Sequence, residues 1–596
     1  MTSTDVVTSS DVVATTDVVA GGPPGRLRGA RSRARPGGSR GFAIVAAVPA
    51  VAILGLLGVV LWISVRVSVA RDGLTLDHYR TVFGDPFAYR ALLNTVGFTV
   101  VATLTAVALG IPLAWLVERT DLRGKSAIYT LATVGVFIPG FFTAMGWILF
   151  LHPRIGMANQ WLMQWFDLDS GPIDITSVGG MGVVQGFGMA GLVFVFTATS
   201  LRSMDGSLEE AAAMSGGSTR AVLRRITGPL AWPGILAALL FVITLNISAF
   251  DVPLLLGLPN RIYTFSTFLI TLVSTTEDGL PPYGVIAAFG SLMIAVALAL
   301  SLWYRRMSVQ ARRYVVLTGK GSTRKVVRLG RWRYLAWAFL AVYFGLSQVM
   351  PLVLLIWTAF LPYFQPISAE AFHHLGTGNF SGLPWPLVRR GATNTGLLML
   401  ATPLLTFALS VAISWIVLRS RSRMRAVVDF VAFLPVAVPP VVFGFAALLT
   451  VLNVGLPFGI ELYGTLTLLV VMYALVSLGF GTRTTTTALI QIDRELEDAA
   501  MMSGASHGAT VRRIVVPLLL PAILYGSLWV ALLVSRDITL SNILFSGENV
   551  TVPMVVWTVW NEGQMGQASA LSLLLIATFV PFIYLYLRRA GGQAFG

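Results

Sequence analysis

EEAAAMSGGSTRAVLRRITGP, residues 209–229, is a charged, glycine-broken stretch in a chain that is otherwise strongly apolar. It returns 288 residues later as EDAAMMSGASHGATVRRIVVP, residues 497–517, with 12 of 21 positions identical. Ser207 and Glu210 have capping-box spacing, and acids in a first turn complement the helix dipole. Ala211, Ala212, Ala213 and Met214 favour helix. Gly216-Gly217 permits a sharp stop. Ser218 then caps a second short helix, from Thr219 to about Ile226, which ends before Pro229. In the second copy Gly504, Ser506 and Pro517 take these places, and Glu495 replaces the capping Ser207. Arg224-Arg225 and Arg512-Arg513 lie where the chain re-enters lipid. The stretch predicts a short helix, a glycine elbow and a second short helix. Acid is exposed at one end, and small residues at the centre allow close approach of another surface.

The surroundings of both copies are membrane-like. Of 596 residues, 55% are hydrophobic and 12% charged, where a soluble chain carries about 25% charged residues. Mean hydropathy is +0.77. There are no cysteines, which excludes disulfides and Cys-based metal sites, and the five histidines are too scattered for a His-x3-His metal pair. Runs of about 20 apolar residues, enough to cross a bilayer, fall near 42–65, 91–117, 127–151, 180–200, 230–250 and 283–304. A second set falls near 334–360, 392–418, 427–451, 463–482, 515–535 and 568–587.

With the N-terminus inside, the inside segments hold 33 of the 42 Lys+Arg and 13 of the 27 Asp+Glu. The net charge of +15 is therefore a topology signal and not a nucleic-acid footprint. Twelve spans return the C-terminus inside as well. Residues 1–41 read as a disordered cytosolic tail, with Arg26–Arg40 preceding a start-anchor helix rather than a cleaved leader.

The repeat extends beyond the opening stretch. LLNTVGFTV (92–100) opens span two and ATNTGLLML (392–400) opens span eight; VFIPGF (136–141) lies in span three and AFLPVA (432–437) in span nine. The expected fold is an all-α polytopic membrane protein of about 12 transmembrane helices. It is built as two parallel repeats of six, 42–304 and 334–590. The linker 305–333 carries ten Lys+Arg and no acid; it reads as a cytosolic tether, with an anionic-lipid patch as the alternative.

Glu210-Ala211-Ala212, then Gly216, Ile226 and Pro229, resembles the cytosolic coupling motif of importer-type ABC transporter permeases. Asp498-Ala499-Ala500, Gly504, Ile514 and Pro517 resemble it equally, with Asp for Glu at 498. The resemblance covers nearly all of 42–590. It implies two type I importer permease units fused in one chain, and a transport subunit rather than an enzyme, with no cofactor. Glu209, Glu497 and the residues just named would form two coupling helices, docked on two ABC ATPase subunits, a homodimer. A solute-binding protein on the outer side would select the substrate.

A phosphate-cradling loop needs Gly-x4-Gly-Lys-[Ser/Thr] after a strand. Gly124-Lys125-Ser126 has Arg119 at the first position, and TGKGST (318–323) has Gly321 where Ser or Thr is required. HPRIGMANQWL (152–162) and VVLTGKGSTRKVVRLGRWRY (315–334) resemble the iron(III) importer permeases; fused permeases for thiamine, phosphonates or polyamines look similar. Candidates for the translocation path are Asn94, Asn246, Asp251, Asn394 and Asp537, polar groups within or beside spans. No carboxylate–tyrosine cluster that would hold iron directly is evident. Interhelical hydrogen bonding or capping is the alternative for each candidate. Pro139, Pro435, Pro439 and Pro440 are candidate kinks. An ion-coupled secondary transporter and a non-transporting scaffold are the other functional classes; the former needs ionisable groups at mid-membrane depth, which are scarce.

Overall fold

The computed structural model describes residues 37–594 except 68–72, 203, 205–206, 217, 275–280, 312–326, 421–423 and 455–460. The expected tail, 1–41, lies almost wholly outside the described residues, as does the middle of the linker. In the first half the helices are α1 (Gly37–Ser64), α2 (Asp77–Gly84), α3 (Pro86–Arg119), α4 (Lys125–Phe137), α5 (Gly140–Leu151) and α6 (Met157–Phe166). They continue as α7 (Val178–Arg202), α8 (Ser207–Met214), α9 (Thr219–Val222), α10 (Gly228–Ile247), α11 (Phe265–Ser274) and α12 (Tyr283–Ala311). The second half has α13 (Trp332–Phe344), α14 (Met350–Ala359), α15 (Ala369–His373), α16 (Gly378–Ser381), α17 (Trp385–Arg419), α18 (Arg425–Ala437) and α19 (Pro440–Leu449). It continues with α20 (Leu466–Ile490), α21 (Arg494–Met502), α22 (His507–Thr510), α23 (Val516–Arg536), α24 (Thr539–Ile543), α25 (Val552–Asn561) and α26 (Met565–Ala594).

Corresponding elements match in length. Helices α3 and α17 have 34 and 35 residues, α4 and α18 have 13 each, and α7 and α20 have 25 each. Among the described residues ten helices are long and apolar enough to cross a bilayer, and two bent pairs raise the number to twelve. These pairs, α4–α5 and α18–α19, turn by 95° and 105°. The sequence predicts one span at each, with Pro139, Pro435, Pro439 and Pro440 as candidate kinks. Ile138 and Val438 are extended, the conformation that a following proline imposes, and Pro139 and Pro439 offer no N–H to continue the ladder. Pro435 stays inside α18 without breaking it.

Whether a bent pair crosses or returns is decided by its neighbours. Gly182 packs on Val101, Gly186 on Thr105 and Gly110 on Ala190. At the far end Arg119 Nη2 donates to Leu201 O at 3.0 Å. Numbering rises together along α3 and α7, so the two run parallel. Parallel neighbours in one bilayer need an odd number of crossings between them, so α4–α5 is a single broken span. The second half repeats the arrangement: Ser414 Oγ bonds Thr485 Oγ1 at 2.6 Å, and Arg419 Nη2 donates to Ile492 O at 3.1 Å. Small residues let both pairs approach. The first half uses glycines; the second uses a stripe of Thr402, Thr406, Ser410 and Ser414, all fully buried.

The halves interlock through their first spans. Helix α1 lies against α17, α18 and α19, while α14 lies against α5. Gln348, in the π turn between α13 and α14, donates to Leu131 O at 2.9 Å. A side chain at Gly146 would strike Pro351 across this interface. Gly146→Val is therefore expected to destabilise the chain by about 1–3 kcal/mol. Thermal unfolding of the purified protein measures this; an unchanged midpoint would contradict such close contact.

Candidate coupling and translocation site

Both copies of the repeated stretch form a short helix, a glycine elbow and a second short helix at the same end of the bundle. Helix α8 stops at Gly216, φ +83°, and α21 at Gly504, φ +87°, a backbone region that favours glycine. Gly504 N–H bonds to Met501 O and Ala505 N–H to Ala500 O, both at 3.0 Å, the paired closure of a Schellman stop. Ser218 and Ser506 then cap α9 and α22, accepting from Ala221 N and Ala509 N at 3.3 Å. The capping contact expected of Ser207 and the side chain of Glu210 lie outside the described residues. The start of α21 is capped by Asp493, which accepts from Glu495 N at 3.2 Å.

Two expectations are corrected. The second short helix does not end before the proline. Each passes through one π turn, Leu223–Thr227 or Val511–Val515, straight into α10 or α23. The wider turn takes in Pro229 and Pro517, whose rings would otherwise clash with the carbonyl four residues back. Ile226 and Ile514 are half-buried within these turns, and both arginine pairs are exposed.

The second correction concerns charge. Glu209 and Glu497 are buried rather than exposed. Glu497 Oε1 accepts from Arg419 Nε at 2.9 Å and Nη2 at 2.8 Å. Glu209 Oε1 lies 3.4 Å from Arg119 Nη2 and accepts from Thr227 Oγ1 at 2.8 Å. Each arginine ends a long helix and also donates to carbonyls at the end of its parallel neighbour. A buried ion pair thus ties each short helix to two spans. Ala211, Ala499 and Asp498 face outward, Ala212 and Ala500 are half-buried, and Met214 and Met502 are 87% and 89% exposed.

The model of the family described as binding-protein-dependent transport system inner membrane component matches residues 106–313 and 404–590, one block in each half. The chain belongs to this family. It is the permease subunit of an ABC importer, a multi-pass inner-membrane protein and a transport component. The chain is similar to the Fe(3+)-transport system permease protein FbpB 2 of Haemophilus influenzae, 22% identical over 81% of this chain and 87% of the relative. It is also similar to the ferric transport system permease protein FbpB of Actinobacillus pleuropneumoniae, 23% identical over 88% of this chain and 75% of that one. The crystal structure of a bacterial ABC transporter involved in the import of alginate aligns at 23% identity with a TM-score of 0.35, over 40% of this chain and 85% of that chain.

The five polar residues proposed for the permease's path fall into two groups. Asn94 Nδ2 donates to Tyr263 O at 2.9 Å, and Asn394 Nδ2 to Glu548 O and Val550 O at 2.8 and 2.9 Å. The threonine after each accepts from the first turn of the next short helix: Thr95 from Phe265 N at 2.7 Å and Thr395 from Val552 N at 3.0 Å. Each Asn-Thr pair therefore pins α11 or α25 within its own half. Asn246 is buried and joins α3 and α7, donating to Thr103 Oγ1 at 3.2 Å and accepting from Gln185 Nε2 at 3.3 Å.

Asp251 and Asp537 stand where the halves meet. The Asp251 carboxylate lies over Gly140, 3.2 Å from where a Cβ would be. Asp537 Oδ2 accepts from Tyr473 Oη at 2.9 Å and Leu540 N at 3.0 Å. Arg536 precedes Asp537, and its Nη1 reaches across the interface to Val136 O at 2.8 Å and Ile138 O at 3.2 Å. Sequence reading missed Arg536. Its only sequence-level signal is a cation next to Asp537, where Phe250 precedes Asp251.

Proposed function

We propose that this permease carries iron(III) inward, driven by two copies of one separate ABC ATPase. Helices α8–α9 and α21–α22 are its two docking handles, at Glu209, Glu210, Ala211, Ala212, Gly216, Ile226 and Pro229, and at Glu497, Asp498, Ala499, Ala500, Gly504, Ile514 and Pro517. These handles and both termini are cytosolic, which the distribution of Lys and Arg supports. A solute-binding protein delivers the substrate from the opposite face. The observation that carries the reading is the repetition of one anchored, glycine-stopped device at equivalent places on one end of both halves. Iron(III) is supported by two relatives of comparable span, both named for ferric transport.

A valine at a positive-φ glycine costs about 1–3 kcal/mol and redirects the elbow. Gly216→Val with Gly504→Val is expected to cut both ATPase co-purification and uptake by about tenfold or more. Retention of both would end the coupling assignment. Uptake of radiolabelled iron(III) against radiolabelled thiamine, in cells with and without the chain, tests the substrate separately. Chain-dependent thiamine uptake without iron uptake would overturn iron and leave the permease assignment standing.

A further inference from the structure

A broken span leaves backbone groups without helical partners, and these are costly in lipid. The break in α4–α5 meets this need with charge. The carbonyls of Val136 and Ile138, at the negative end of α4, take Arg536 from the other half. The Asp251 carboxylate of the same half lies over Gly140, at the positive start of α5. The signs complement the two helix ends. The break in α18–α19 differs, because Pro439 and Pro440 present no N–H at all. Asp537 turns to Tyr473 and α24 instead. Phe250 occupies the place equivalent to Arg536, so the cross-half clasp is one-sided. Around it Phe137 meets Trp529 at 5.0 Å and Phe141 meets Trp557 at 6.4 Å, ring to ring. The two halves are therefore in contact on both sides of the break.

We propose that Arg536 is a gate latch: it holds the second half shut against the broken span of the first, and transport requires it to let go. The contact suits release. Its acceptors are carbonyls already freed by the break, so water entering an opening path can replace the guanidinium without unravelling a helix. Arg536 is a positioning residue in this scheme and contacts no substrate.

The natural absence of cysteine makes the test direct. A single cysteine at Ile138, half-buried at the break, reports opening by its rate of reaction with a charged maleimide in the full chain in nanodiscs. A cysteine at Ser572, buried beside Met145 on another part of the interface, reports general loosening. Loss of a charge-assisted hydrogen bond shifts such an equilibrium by about tenfold or more. Arg536→Met is therefore expected to speed labelling of Ile138→Cys by about that factor, with Ser572→Cys still slow. An unchanged rate at Ile138→Cys overturns the latch. Parallel acceleration at both reporters also overturns it, because Arg536 would then hold the whole interface rather than the break.

Discussion

Glu497→Ala is expected to destabilise the permease by about 3–5 kcal/mol, because it leaves the Arg419 guanidinium buried without its counter-ion. Arg419 is 12% exposed, with both of its contacts to Glu497 at 2.9 Å or less. It also donates to Ile492 O, at the carbonyl end of α20, so its loss of balance is felt by α17, α20 and α21 together. Glu209→Ala should act in the same direction, freeing both Arg119 and Thr227. The apolar pair Arg419→Met with Glu497→Leu separates stability from orientation. Replacing a whole buried ion pair by packed apolar groups is often neutral in stability. The double variant should thus recover most of the unfolding midpoint lost by Glu497→Ala in detergent melts. If Glu497→Ala melts like the parent, the pair is not what fastens α21.

Much of this was legible in the sequence, for identifiable reasons. Span number and the repeat follow from apolar run length and from the doubled stretch, both local signals. The elbow glycines and the caps Ser218 and Ser506 were readable because cap and turn chemistry acts within three or four residues. What was not readable depends on distant partners. Glu209 looks like a solvent-facing acid until Arg119, far upstream, is placed beside it. The partners of Asn94 and Asn394 are carbonyls more than 150 residues away, which no local pattern announces. The breaks were half legible: Pro139, Pro439 and Pro440 stood among the candidate kinks, but so did Pro435, which lies inside α18. Pro112, Pro233, Pro403 and Pro521 all sit inside continuous helices, so proline alone does not mark position 139 or 439. At position 139 the exposed carbonyls of Val136 and Ile138 are met by Arg536, 400 and 398 residues away in sequence.

Met214→Asp with Met502→Asp is expected to weaken capture of the partner ATPase strongly while leaving the permease as stable as before. Both methionines stand almost free of the protein, at equivalent positions one turn beyond the buried acid. A surface change of this kind alters stability by about 0.5 kcal/mol or less. Burying one such flexible apolar side chain in a partner cleft contributes about 1.5–3 kcal/mol, and methionine adapts to an irregular pocket. Two sites on one chain multiply through effective concentration when the ATPase subunits are held together. The double variant should therefore weaken association by about a hundredfold or more, and each single variant by clearly less. Co-purification at graded ATPase concentrations, with a melting curve on the same samples, reads both quantities. An ATPase retained at parental strength on a well-folded double variant would place the gripping surface elsewhere on α8–α9 and α21–α22.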